Sequence, residues 1–507
     1  EQDGFGLGLC VDSCDRTTLW ECFSILYQRI SFNDSLVSVF QRQIIKGSLS
    51  NFIGIGLGVL NNIWLFPLAF SLEELGIYRW VERTAVLIAA IALLGLHRTY
   101  VRYQSRFEGE DASQFLSNIV VLVACIAALM GIVFTLFAEH LALLLDVPAA
   151  HEIFTLGAVV AGSMTYTLGL SISSSAKRIS PPFFLKNVGI RLALLVGAVL
   201  VSEAYFDFSF WMRLFALVHM CVGLAVLFYS IRLKGLPLRR PQPLGQGLGK
   251  ELATFASSGI VMAVMTMSLA TIDSQMIASL MSYEALGVYS IAFFIGSFVD
   301  GIRRPVSQAL SPQFANLWNE NNKEAISKMY GRTSRVLMAV ALTSFVVIVP
   351  NLDFIFSLIP DPERFEGAKS VVVLILLSRV IDYSFGSNGE MLSNGPYFKW
   401  NLIAISALVA LLVSLNFVLI PTYGLEGAGS ALILSYTVFN LAKAIFLYWK
   451  ERMQPFSTVQ FLLLITASVT YFSAKFFEGP DWTDLILTNT IIGMGLLLGF
   501  IFLSKRI

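Results

Sequence analysis

Charge is what this chain has least of. Asp, Glu, Lys and Arg make up 14% of its 507 residues, against about 25% in a soluble domain. Hydrophobic residues make up 56%, mean hydropathy is +0.72, and apolar runs of roughly 20 residues recur along most of the length. The deficit excludes an ordinary soluble domain and indicates an all-α polytopic membrane protein. The net charge of +1 leaves no bulk attraction for nucleic acid. Cysteine is scarce too. Cys10, Cys14 and Cys22 form neither a metal-ligand nor a disulfide pattern, and Cys125 and Cys221 fall in apolar runs, where small buried residues are expected. There is no Asp-x-Asp for metal and nucleotide sugar, and no Walker-type phosphate loop, so ATP does not drive the protein directly. No catalytic residue, metal or cofactor is expected. Residues 1–43 lack the apolar core of a secretory signal and read as a peripheral or disordered leader.

What is present is a repeat. Ser71-Leu72-Glu73-Glu74-Leu75-Gly76-Ile77-Tyr78 returns as Ser282-Tyr283-Glu284-Ala285-Leu286-Gly287-Val288-Tyr289, at an offset of 211 residues. Each copy lies between two apolar runs and reads as a loop, with the glycine permitting a tight turn and the tyrosine anchoring at the interface. The apolar runs place helices at roughly 44–69, 80–97, 114–138, 153–173, 184–203 and 210–231. A second six follow at roughly 252–281, 286–308, 333–358, 367–391, 400–421 and 427–448, then two more at roughly 457–476 and 483–504. The expectation is therefore about fourteen spans, in five segments: a leader (1–43), a first six-helix lobe (44–231), a basic connector (232–250), a second six-helix lobe (251–448) and a two-helix tail (449–507).

Charge placement supports the count. The even-to-odd loops hold Arg98, Arg102, Arg106, Lys177, Arg178, Arg239, Arg240, Lys323 and Lys328, while the opposite loops hold Glu73, Glu74, Glu139, Glu284, Asp361 and Glu363. Arg79, Arg364 and Lys475 are exceptions. By the positive-inside rule both termini face the cytoplasm. Because each repeat holds an even number of helices, the two copies of the segment share the outer side and the repeat is parallel. Such bundles rock to expose a central site alternately, which argues for transport.

The two Leu-Gly-x-Tyr segments, Tyr423-Gly424-Leu425-Glu426-Gly427-Ala428-Gly429 before the twelfth helix, and the two-helix tail together resemble the polysaccharide-biosynthesis flippases. These belong to the multidrug/oligosaccharidyl-lipid/polysaccharide exporter superfamily. The resemblance implies a multi-pass transporter of the bacterial cytoplasmic membrane. It would carry a polyprenyl-pyrophosphate-linked oligosaccharide from the inner to the outer leaflet for surface polysaccharides such as O-antigen. Apart from the resemblance, a monomer is the expectation, with the oligomeric state left open. The basic cluster usual in the first helices of lipid II flippases is not evident, since the first helix has Asn61 and Asn62 but no Arg.

Pyrophosphate is anionic, so cations inside the bundle are the first candidates, and ionisable residues within spans default to function. Arg379 and Asp382 share a helical face at i, i+3 and are expected to pair, with Ser384, Ser387 and Asn388 continuing a polar stripe. Asp300 precedes Arg303 and Arg304, and Arg191 and Arg213 are further head-group candidates; either is equally explained by snorkelling. Asp273, opposite Asn62 in the repeat, and Asp300 are candidates for Na⁺ or H⁺ coupling, with Asp273 alternatively wet at the outer interface. Two other readings stand: a cation-coupled drug or metabolite antiporter of the same superfamily, and a membrane enzyme acting on lipid-linked glycans.

Overall fold

A computed structural model describes residues 50–476 apart from 146, 148–149 and 243–247, and then 488–496 and 499. The leader expected over 1–43, and most of the last expected helix, lie outside these residues. The described chain is all-helical, and among the described residues seven helices are long and apolar enough to cross a membrane, or nine if each bent pair is one span. The expected fourteen is not reached by that count. One reason is that Phe398–Glu451 counts as one span although a kink at the non-helical Gly424 (φ 60°, ψ −139°) divides it into two helices, as the sequence leads one to expect. Another is that Ala368–Ser384, at 17 residues, is too short to count alone.

The first half comprises α1 (Ser50–Ala69), α2 (Leu72–Ala92), α3 (Leu96–Tyr103), α4 (Gly109–Leu136), α5 (Ala138–Leu144), α6 (Ala150–Ser175), α7 (Ser180–Ser202) and α8 (Phe208–Lys234). The second comprises α9 (Leu248–Leu280), α10 (Tyr283–Gly296), α11 (Asp300–Asn319), α12 (Lys323–Ile348), α13 (Leu352–Ser357), α14 (Ala368–Ser384), α15 (Asn388–Ser393), α16 (Phe398–Glu451) and α17 (Thr458–Phe476).

The repeated segment is not a loop. Ser71 caps α2 in a full capping box, its hydroxyl accepting from the Glu74 amide while the Glu74 carboxylate accepts from the Ser71 amide. Ser282 caps α10 by accepting from the Ala285 amide. The second helix therefore starts at Leu72 rather than near 80, and Tyr78 and Tyr289 are buried rather than interfacial anchors. In both halves the helix so begun is bent part-way. Leu94 and Gly95, both at positive φ, separate α2 from α3 by 51°, and α10 meets α11 at 50°. Such breaks mid-span expose backbone groups that only a protein or water-lined environment can satisfy.

Close packing explains two of three glycines in α1. A side chain at Gly54 would strike the Asn187 carbonyl oxygen at 2.8 Å and one at Gly58 would strike the Arg191 guanidinium at 2.6 Å, whereas Gly56 meets nothing within 4 Å. The connector after Gly235 is docked on α4. The Arg239 amide donates to Ser117 Oγ (2.8 Å), Arg239 pairs with Glu110 (2.7 Å), and Asn118 donates to the Gln242 carbonyl (2.8 Å). Cys125 and Cys221, expected buried, are both exposed on α4 and α8, where an apolar surface suits them.

Candidate functional site

A cavity of about 430 Å³ opens among α9, α10, α11, α14 and α16, and Asp273, Asp300, Arg303, Arg379, Tyr383 and Tyr436 are among its lining residues. Its charges are organised by crossed pairing. Arg379 and Asp382 were expected to pair within one helix; instead Arg379 reaches Asp300 across to α11 (3.3 Å) and Asp382 accepts from Arg303 of α11. The swap has a physical cause. Two facing helices each carrying an acid and a base three residues apart hold four charges in a square, and inter-helix pairs satisfy side chains that a self-paired helix would leave facing each other. Tyr383 donates to Asp300 Oδ1 (2.5 Å) and Arg379 donates to the Tyr436 hydroxyl (3.2 Å). Asn440 donates to Asp382 Oδ1 (2.9 Å) and accepts from Asn388 Nδ2 (2.9 Å), and Lys443 reaches Asn388 Oδ1 at 3.5 Å. Asn388 thus backs the cavity through Asn440. Ser387 is buried in the α14–α15 break.

Asp273 is buried rather than wet. Asn416 of α16 donates to its Oδ1 (2.8 Å) and Tyr289 of α10 donates to its Oδ2 (3.3 Å). One carboxylate with two neutral oxygen-bearing neighbours suits a monovalent cation or a proton. Among the described residues no three His, Cys, Asp or Glu side chains converge as ligands for a metal ion.

A second polar cluster lies in the first half. Its frame is two π-helical turns, Leu60–Leu65 in α1 and Leu185–Gly189 in α7, a geometry often found at functional sites. Asn61 donates to the Arg191 carbonyl (2.9 Å), and Arg191 donates to the Gly54 carbonyl. Asn62 accepts from Arg79, which also pairs with Glu82 (2.8 Å). Arg83, one helical turn beyond Arg79, donates to the Ala270 carbonyl (2.9 Å) and lies 4.8 Å from the Phe293 ring centroid. Ala270 and Phe293 both line the cavity, so Arg83 brings a first-half cation to it. Among the described residues Arg83 makes no ion pair.

The cavity therefore unites four expected residues, Asp273, Asp300, Arg303 and Arg379, with Asp382 bound to one of them. Asn61, Asn62 and Arg191 belong to the first-half cluster. Arg213 is exposed on α8 and is not a lining residue. The Arg304 side chain lies outside the described residues. Arg79, Glu82 and Arg83 were missed. For Glu82 and Arg83 the signal is their place as ionisable residues inside the expected 80–97 span. For Arg79 it is the capping box, since Ser-x-x-Glu at 71–74 starts the helix a full two turns early and carries Arg79 into the bundle.

Residues 70–356, more than half of the chain, match the family described as polysaccharide biosynthesis protein. The chain belongs to that family. A relative is the probable low-salt glycan biosynthesis flippase Agl15 of Haloferax volcanii, 20% identical over 408 residues that cover 80% of this chain and 83% of that protein. In fold the family member described here is similar to the lipid II flippase MurJ in an inward closed conformation, with a TM-score of 0.73, 14% identity, and coverage of 90% of this chain and 98% of that one. It is also similar to an inward-facing multidrug resistance MATE transporter of the MOP superfamily, with a TM-score of 0.61, 12% identity and coverage of 81% and 98%.

Proposed function

We propose that this protein is a flippase, and not an enzyme, that moves a polyprenyl-pyrophosphate-linked oligosaccharide between membrane leaflets by alternating access. The observation that carries this is a cavity inside a bundle of apolar helices with Arg303 and Arg379 on its wall and Arg83 at its rim. Cations within apolar spans are costly even when paired, and where they line a cavity they mark a path for charged cargo. Arginine is suited to phosphate because its planar fork donates in pairs. Asp300 and Asp382 hold Arg379 and Arg303 until the head group arrives and exchanges for them. Asp273, with Asn416 and Tyr289, takes the coupling Na⁺ or H⁺, since one charge crossing a potential of 100 mV releases about 2.3 kcal/mol.

The functional units follow the sequence: lobes at 44–231 and 251–448, the connector 232–250 between them, and the tail from 449. The loop charges favour both termini on the cytoplasmic side of an inner membrane. A cation-coupled antiporter of small molecules is the second reading. It is favoured by the likeness to a MATE transporter and by the lone buried Asp273.

Complementation of a flippase-null strain tests the proposal. Wild-type protein is expected to restore surface glycan. Arg379→Ala, expressed to an equal level, is expected not to. Equal restoration by both, or none by the wild type in strains matched for the glycan, defeats it.

A further inference from the structure

Sequence and packing meet at the repeated segment. An ideal Cβ on Gly76 would lie 1.8 Å from the Tyr283 carbonyl oxygen and 2.6 Å from its carbonyl carbon. An ideal Cβ on Gly287 would lie 2.2 Å from the Leu72 carbonyl oxygen and 3.4 Å from the Gly76 nitrogen. Under the offset of 211, Gly76 corresponds to Gly287 and Leu72 to Tyr283. The contact is thus its own image, as across a two-fold axis, within one chain. The first turns of α2 and α10 cross with their backbones touching, and no other residue fits at either glycine. Trp80 adds an edge-to-face contact with Tyr283, ring centroids 6.2 Å apart.

A second observation lies at the same end. Arg364, on the turn Pro362–Phe365 between α13 and α14, donates to the carbonyls of Pro67 (3.3 Å) and Phe70 (3.0 Å). Those are end-of-helix acceptors of α1, left without intrahelical donors, so a second-half arginine caps a first-half helix. Phe365 beside it is fully buried. The opposite end of the molecule is joined differently. There Arg106 and Tyr103 meet Glu251 at 3.0 and 3.1 Å, with the Arg106 and Glu251 side chains 53% and 48% exposed. Exposed pairs of this kind contribute about 0–1 kcal/mol. One end is a dry backbone crossing and the other a wet salt bridge.

We propose that the repeated segment is a gate: the Gly76–Gly287 crossing seals one end of the transport path, which the loop charges make the outer end, and Arg364 is its latch. In this structure the gate is shut. Opening requires α2 and α10 to part at their first turns, with Arg364 releasing α1. The inference rests on the alternating-access reading above, and it explains why the same eight-residue pattern stands in both halves. Each copy is one face of the same seal.

The test uses the full chain with its five cysteines replaced by serine, in proteoliposomes. Thr266→Cys, on the cavity wall, reports access to a membrane-impermeant maleimide added from the outer side. Gly76→Ala and Gly287→Ala are each expected to raise the labelling rate roughly tenfold, and by similar factors, because each overpacks the same contact from one side. Arg364→Ala is expected to raise it about threefold, as loss of one charged hydrogen-bond donor to carbonyls. Unchanged labelling in both glycine variants overturns the gate, and so does a large effect from one with none from the other.

Should either glycine variant fail to fold, a second arm carries the test. Trp80→Cys and Tyr283→Cys are joined by a short reducible bis-thiol linker. Transport is expected to stop and to return on reduction, while inner-side binding of lipid-linked substrate persists. Full transport by the linked protein overturns the gate. Labelling needs no substrate, so a gate that behaves as expected in a protein that flips no glycan would sink the flippase reading and leave the gate standing.

Discussion

The two halves of the chain hold the arginines of their polar clusters in opposite ways. In the second half Arg303 and Arg379 are matched one to one by Asp382 and Asp300 across α11 and α14. In the first half, among the described residues, Glu82 pairs with Arg79 alone, and Arg79, Arg83 and Arg191 otherwise rest on neutral acceptors: the Asn62 amide and the carbonyls of Ala270 and Gly54. A neutral acceptor stabilises an arginine without cancelling its charge. Under the proposed function the first half would present net positive charge to an anionic cargo, whereas the second half would have a carboxylate displaced before it could do so. One side would attract and the other exchange. A rocking transporter needs both, because a cargo held equally in every state is not released.

The largest effect is expected where the pairing is broken on one side only. Asp382→Ala removes the partner of Arg303 and strands a mostly buried cation, at a cost of about 3 kcal/mol or more. Thermal unfolding in detergent is expected to show it. Arg303→Leu combined with Asp382→Leu is expected to recover most of that stability while transport stays lost. If the double variant is no more stable than the single, the crossed pair is not the organising contact of the second half.

Arg83→Ala sharpens the other side of the comparison. Its partners are a carbonyl and the Phe293 ring, so little stability depends on it. The loss is expected in cargo affinity, at roughly 10–100-fold for one charge-assisted contact, with Arg83→Lys recovering part. Isothermal titration with a soluble polyprenyl pyrophosphate analogue reads it. Weaker loss from Arg83→Ala than from Arg191→Ala would shift the attracting role inward, to the guanidinium that Gly58 makes room for.

Much of this is legible in the amino-acid sequence itself. Low charge and long apolar runs give an all-helical membrane fold, and the offset of 211 gives the duplication. Asp273, Asp300, Arg303 and Arg379 stand out because ionisable residues in apolar runs always do. The pairing was not legible, since Arg379 with Asp382 satisfies i, i+3 spacing within α14 and nothing in the spelling says that α11 faces it. Of the first-half cluster only Arg79 is hidden by a boundary: the turn-like Leu-Gly-x-Tyr sets the start of α2 near 80, past Arg79, although Ser71 and Glu74 mark the true start. Glu82 and Arg83 lie inside the expected 80–97 span, where nothing in the spelling says that Arg83 faces Ala270 and Phe293. Gly76 illustrates the same limit, for a glycine that admits another backbone is spelled like one that permits a turn.

Asp273 offers a finer test of the contrast, because this cavity-lining carboxylate is held by two neutral hydrogen-bond donors, Asn416 and Tyr289. Asp273→Asn keeps the shape and the hydrogen bonds to Asn416 and Tyr289 can rearrange, so stability is expected to change by less than about 1 kcal/mol. Transport is expected to lose its dependence on a Na⁺ or pH gradient while a slow, gradient-independent rate remains. Retained gradient dependence in that variant would move coupling to Asp300, whose partners Arg379 and Tyr383 already claim it.

The smallest effect is expected at Arg213. It is exposed on α8, removed from the cavity lining, and a cation there is accounted for by snorkelling to the interface. Arg213→Ala is expected to leave stability within about 0.5 kcal/mol and transport within twofold, as for surface changes away from any network. Charge reversal, Arg213→Glu, is the stricter probe, since it would repel a pyrophosphate at the outer exit without disturbing the bundle. Wild-type export rates in both variants confine the attracting charge of the first half to Arg79, Arg83 and Arg191. Slowed export by Arg213→Glu with unaltered head-group binding would instead make the first half's positive face run the whole length of the path.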